Sequence, residues 1–136
     1  MSAVLLLRIS AVISFLFALG HTVGGMKYWS PMGDNQVLQL MRSVQFEIMG
    51  TSRSYFDLYM GFGYSLSAAG LLQAVLLWQM SPLMRSNAAA VRPMVAAIAL
   101  AVGISGIIAW QFIFPIPALF SLVLFGLLTT AYFVSR

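Results

Sequence analysis

The chain contains no cysteine, which removes disulfide scaffolds, thiolate zinc sites and thiol nucleophiles together. Charge is nearly as scarce. Seven basic and three acidic residues make up 7% of the 136 positions, where a soluble domain carries roughly 25%. A net charge of +4 spread this thinly cannot neutralise a nucleic-acid backbone, so no nucleic-acid partner is expected. The single histidine cannot complete a four-ligand zinc site, and it could ligate haem on both faces only across a dimer. The nine methionines show no clustered spacing and are ordinary bundle filler. Neither a metal nor a cofactor is expected. Phosphate-binding loops, a nucleophile elbow and zincin motifs are absent from the sequence, as are the ten-residue alternating stretches of a membrane barrel.

What the chain has is apolar surface: 61% of its residues are hydrophobic and its mean hydropathy is +0.94. A hydrocarbon core about 30 Å thick needs about 20 apolar residues of helix. Four stretches qualify, at about residues 3–25, 55–80, 93–114 and 118–135. Each is apolar around its circumference, which in so short a chain means lipid on one side and another helix on the other. Phe114-Pro115-Ile116-Pro117 interrupts the last two, which form a tight antiparallel hairpin. Met80-Ser81-Pro82 is read as the end of the second span. Arg92-Pro93 is read as the first turn of the third, after a linker of about a dozen residues.

Between the first two spans, Val37, Leu38, Leu40, Met41, Val44, Ile48 and Met49 recur at helical spacing. Asn35, Gln39, Arg42, Ser43 and Gln45 fill the other face. Ser30-Pro31 supplies an N-cap and a first-turn proline. The expectation is an amphipathic helix over about 31–49, lying in the membrane interface. The predicted class is therefore all-α: an integral membrane four-helix bundle with one interfacial helix, a single membrane domain over 1–136.

Orientation follows from the basic residues near the span ends. Arg8, Arg85, Arg92 and Arg136 lie on one side. Lys27, Arg42, Arg53 and all three acids lie on the other. This places both termini in the cytoplasm and the chain in a cytoplasmic (inner) membrane. Ala18-Leu19-Gly20 resembles a signal-cleavage site, but Arg8 interrupts the apolar region instead of preceding it, so the first span is expected to be retained. Association of helices in lipid needs small residues. The rows Ser10/Ser14/Ala18/Thr22, Gly61/Ser65/Ala69 and Ala97/Ala101/Ser105/Ala109 are expected to turn inward.

Every acid and the only histidine fall between positions 21 and 57. At about 100° per residue His21 shares the inward stripe of its helix with Ser14 and Ala18. Arg53, Asp57, Gly61 and Ser65 follow at intervals of four, with Tyr64 seven residues beyond Asp57. His21, Arg53, Asp57 and Tyr64 are thus candidates for one ligand-binding pocket. There the aspartate orients the imidazole and the arginine polarises a carbonyl or binds an anion. A structural account competes with this. Ser54-x-x-Asp57 has capping-box spacing, Arg53 and Asp57 suit a local ion pair, and His21 suits a hydrogen-bonded helix end.

Gly20-His21-Thr22, Trp29-Ser30-Pro31 and the run from Arg53 to Gly63, Arg-Ser-Tyr-Phe-Asp-Leu-Tyr-Met-Gly-Phe-Gly, resemble an uncharacterised family of small bacterial four-helix integral membrane proteins. The resemblance covers the first two spans and their loop. It implies a bacterial source and four-helix topology, and no activity.

Two functions are expected from different classes. The first is a non-catalytic accessory or scaffold subunit, whose partners are membrane lipid and membrane protein subunits or further copies of itself. The alternative is a membrane enzyme or carrier for a lipid, sterol-like or quinone ligand, using the His21 pocket. A minimal multidrug exporter fits less well, because no acid lies beyond Asp57 at a helix edge.

Overall fold

The computed structural model describes residues 1–135; Arg136, one of the four arginines in the charge count above, lies outside them. Helix α1 (Ala3–Gly25) is followed by α2 (Gln36–Ser43) and a hairpin of β1 (Gln45–Ile48) and β2 (Thr51–Ser54). Then come α3 (Tyr55–Ser86), α4 (Ala88–Phe112) and α5 (Pro115–Val134). Among the described residues the regular structure is helical apart from this one short hairpin. Helices α1, α3, α4 and α5 are each long and apolar enough to cross a membrane, as the apolar runs predict.

The span ends differ from expectation at three prolines. Helix α3 does not stop at Met80–Pro82 but continues to Ser86, and α4 begins at Ala88, so the expected dozen-residue linker shrinks to Asn87. Pro82 costs the helix the hydrogen bond to the Trp78 carbonyl, and the buried Met80 and Met84 on either side of it offset that loss. The Asn87 side chain accepts from the Ala90 amide at 3.2 Å and supplies the N-cap that starts α4. Pro93 therefore sits inside α4, not at its first turn. Helix α5 starts at Pro115, three residues before the expected Ala118, because prolines in a first turn lose no intrahelical bond.

The largest correction falls between the first two spans. The expected helix over 31–49 is confined to Gln36–Ser43. Asn35, not Ser30, is its N-cap, accepting from the amides of Val37 at 2.9 Å and Leu38 at 3.2 Å. The Ser30 hydroxyl instead donates to the Gly33 carbonyl at 3.0 Å. Beyond Val44 the chain turns extended, and β1 pairs antiparallel with β2, Gln45 opposite Ser54 and Ile48 opposite Thr51. The two-residue turn between them, Met49 at φ 50° and Gly50 at φ 74°, has both centres left-handed, as a type I′ hairpin requires. Gln45, Phe46, Glu47 and Ile48 alternate in polarity, a strand period that the helical spacing upstream masks.

Residues divide into two compact units, Met1–Phe17 with Gly70–Arg136 and Ala18–Ala69; α1 and α3 contribute to both. In the first unit, Leu6, Leu7, Leu77, Val95 and Leu128 are wholly buried and form the centre of the core. Helices α1 and α3 run antiparallel here, since Gln73 bonds Ser14 and Ser81 bonds Val4. Helices α4 and α5 also run antiparallel, with Arg92 over Tyr132 and Gly106 close to Ser121.

On α1, Ser10, Ser14 and Ala18 of the expected row are buried and Thr22 is half-buried. The other two rows are mostly exposed. Gly61, Ser65 and Ala69 on α3 are exposed, as are Ala97, Ala101 and Ser105 on α4, where the last member of the row, Ala109, is buried. The buried faces are instead Ala74, Leu77 and Met84 on α3, and Val91, Val95, Ala99 and Val102 on α4. Alanine, valine, leucine and methionine side chains together fill these buried faces.

Candidate functional site

The candidate residues lie in the unit of residues 18–69. Helix α1 ends in tight turns, with Lys27 N–H donating to the Gly24 carbonyl at 3.1 Å and Tyr28 N–H to the Gly25 carbonyl at 2.8 Å. The next two residues, Tyr28 at φ 65° and Trp29 at φ 46°, are both left-handed, a conformation that costs about 1–2 kcal/mol per non-glycine residue. The reversal brings the Trp29 indole back against the end of α1 and the start of α3.

Three sets of contacts hold Trp29 there. Its Nε1–H donates to the His21 carbonyl at 2.7 Å. Its ring lies 5.0 Å from the His21 imidazole, 5.0 Å from the Tyr64 ring and 6.3 Å from the Tyr59 ring, the tyrosines edge-on. The Tyr59 hydroxyl donates to the Trp29 carbonyl at 2.7 Å. Gly25 on α1 and Gly63 on α3 make the slot, since a Cβ on either would fall within the indole.

The His21 Nδ1 lies 2.9 Å from Ser67 Oγ, and that hydroxyl lies 3.4 Å from the Gly63 carbonyl. Ser67 is buried and His21 half-buried. Ser67 has one hydroxyl proton. When it goes to Gly63, the imidazole is the Nδ1–H tautomer and Nε2 is the acceptor nitrogen. The cluster is thus an imidazole and two phenols arranged around one indole, with the Ser67 hydroxyl on the imidazole.

Of the four residues expected to share a pocket, His21 and Tyr64 both meet Trp29. Asp57 and Arg53 are committed at the junction of β2 and α3. Asp57 Oδ2 accepts from the Ser54 amide at 2.8 Å and the Ser54 hydroxyl at 2.9 Å, while the Asp57 amide donates to Ser54 Oγ at 3.1 Å. This is a reciprocal capping box, with an aspartate in place of the usual glutamate or glutamine, and it places a carboxylate at the positive end of the α3 dipole. Arg53 is exposed, stands opposite Phe46 in the hairpin, and donates from Nη1 to the Ser52 carbonyl at 2.8 Å.

A second aromatic arrangement anchors α2. The Arg42 guanidinium lies 4.5 Å from the Tyr28 ring centroid and 4.6 Å from that of Phe56, and its Nη1 is 3.4 Å from Asp34 Oδ1. Leu38, buried on the same helix, adds an apolar contact.

Sequence reasoning missed Trp29, Tyr59, Gly63 and Ser67 as members of the cluster. Ser67 lies one turn from Gly63 and Tyr64 along α3, and that spacing was the available signal; nothing local in the sequence marks the Tyr28–Trp29 reversal. Among the described residues no group of three or more His, Cys, Asp or Glu side chains converges on a common point. The chain matches no family model, and no curated protein or solved structure is similar to it.

Proposed function

We propose that this chain is a non-catalytic integral membrane protein, an accessory or scaffold subunit of a bacterial inner membrane. In this reading its four spans form a helical bundle, both termini face the cytoplasm, and α2 lies in the opposite interface with the hairpin beside it. The observation that carries it is the outward turn of two rows of small residues, Gly61/Ser65/Ala69 and Ala97/Ala101/Ser105. Small residues on a lipid-facing surface let another helix approach closely, so these faces suit partner subunits or further copies of the chain. Asp57 fits the same reading, because its carboxylate is engaged in holding the start of α3.

Gentle detergent extraction followed by native mass spectrometry tests the proposal. A species larger than the monomer is expected, reduced by Ser65→Trp or Ala101→Trp and unchanged by His21→Ala with Asp57→Ala. A monomer insensitive to all of these substitutions refutes it.

The aromatic wall around His21 supports a second reading, a carrier or enzyme for a lipid, sterol-like or quinone ligand that uses His21 and Tyr64, with Asp57 and Arg53 near the ligand's entry. That reading requires a specific small molecule to copurify with the chain and to be lost in the His21→Ala, Asp57→Ala double variant.

A further inference from the structure

The three acids of the chain, Asp34, Glu47 and Asp57, all fall within residues 18–69. Among its described residues the other unit carries Arg8, Arg85 and Arg92, with no acidic side chain to pair with them. Arg92 shows the consequence: its guanidinium lies 4.6 Å from the Tyr132 ring centroid, and its buried Nε has no hydrogen-bond partner among the described residues.

Arg8 is held more firmly. It is the sixth residue of α1, and helical side chains lean toward the N-terminus, which carries its head toward the helix end. Its Nε donates to Ser81 Oγ at 3.2 Å, and Ser81 donates in turn to the Val4 carbonyl at 3.2 Å. The guanidinium carbon lies 5.6 Å from the Trp78 ring centroid. These contacts use Nε and one face of the ion. The terminal nitrogens, which carry the paired donors that match a phosphate, have no acidic side chain to meet among the described residues of this unit.

Trp78 also belongs to an apolar groove of about 390 Å³, lined by Ala11, Val12 and Phe15 on α1 and by Leu71, Val75 and Trp78 on α3. It starts one turn beyond Arg8 along α1. A fixed cation therefore stands at one end of an apolar channel on the surface of two membrane-spanning helices. We propose that Arg8, Ser81 and Trp78, with this groove, bind one anionic phospholipid, its phosphate on the Arg8 guanidinium and an acyl chain along Val12, Phe15 and Val75. Charge complementarity selects the occupant, because the described residues of the unit supply arginine donors and no acidic side chain. The groove selects a ligand with a hydrocarbon tail over a free anion.

The test uses the full chain in a neutral maltoside detergent, offered equal amounts of phosphatidylglycerol and phosphatidylcholine and read by native mass spectrometry. One bound phosphatidylglycerol is expected, preferred over phosphatidylcholine roughly fivefold, the ratio that corresponds to one surface arginine acting on an anionic lipid. Arg8→Gln is expected to abolish the preference. Val12→Trp, which fills the groove and leaves Arg8 in place, is expected to lower retention of both lipids. Equal retention of the two lipids by the wild type overturns the proposal, as does undiminished preference in Arg8→Gln. Displacement by inorganic phosphate or oleate also overturns it, since the site would then be one for an anion or a fatty acid. Should Arg8→Gln lack the helical circular dichroism of the wild type, Val12→Trp decides, and unchanged phosphatidylglycerol retention there is fatal.

Discussion

The Trp29 indole donates its N–H to the His21 carbonyl at 2.7 Å and lies 5.0 Å from the His21 imidazole. One side chain thus satisfies a polar group and covers an aromatic ring on the same turn of α1. The consecutive left-handed residues Tyr28 and Trp29 persist because this placement offsets their backbone cost. A slot made from two glycines on two helices is the condition for it.

Two nearby glycines on α3 separate that slot from ordinary helix propensity. A Cβ at Gly63 meets the indole, while a Cβ at Gly61 meets nothing within 4 Å. Gly63→Ala is expected to destabilise the chain by about 1–3 kcal/mol through overpacking. Gly61→Ala should be neutral or stabilising by up to about 1 kcal/mol, the helix-propensity gain of alanine. Thermal unfolding in detergent, followed by circular dichroism, reads both. Equal effects at the two positions would mean that Trp29 does not occupy the slot.

Asp57 and Ser54 act as one cap, so their substitutions should not add. Asp57→Ala removes the acceptor for the Ser54 amide and hydroxyl, and Ser54→Ala removes the acceptor for the Asp57 amide. Each is expected to lower the unfolding midpoint, and the double variant should fall short of the sum, as for partners in one network. Full additivity would show that the carboxylate has another role.

Met49 carries a side chain at the first centre of a type I′ turn, where φ is 50°, and that side chain is fully exposed. Asparagine tolerates this conformation far better than methionine. Met49→Asn is therefore expected to slow amide exchange across residues 45–54, corresponding to about 0.5–1 kcal/mol of local stability. Faster exchange would contradict the turn type.

The parts of this fold that were legible in the sequence are those fixed by a bulk property. Four apolar runs of bilayer length give four long helices, because lipid offers the backbone no other partner for its polar groups. Their ends were not legible, since Pro82 and Pro93 sit inside helices whose neighbouring contacts outweigh the lost bonds. The hairpin was masked because Val37 to Val44 has helical spacing and Val44, Phe46 and Ile48 continue it plausibly until the Met49-Gly50 turn is considered. At the candidate site, the cap at Ser54 and Asp57 could be read from local spacing. The meeting of His21 and Tyr64 on Trp29 could not, because it depends on a backbone reversal that two non-glycine residues adopt only once the tertiary contacts exist.

The hydrogen bond between the half-buried Gln73 on α3 and the buried Ser14 on α1 gives a last test, of how this chain treats polarity between its apolar helices. Gln73 Nε2 donates to Ser14 Oγ at 2.9 Å, and Ser14 is 1% exposed. Hydrogen bonds between membrane helices average about 0.6 kcal/mol, but removing one partner leaves the other desolvated at about 1–3 kcal/mol. Ser14→Ala alone should therefore cost more than the bond is worth, because the Gln73 amide loses its acceptor. Adding Gln73→Leu removes the stranded donor, and the double variant should recover most of that loss. Thermal midpoints of the wild type, both single variants and the double variant in one detergent provide the full cycle. A double variant less stable than Ser14→Ala would mean that the Gln73 amide has an additional partner, and that this seam contributes more than a single hydrogen bond.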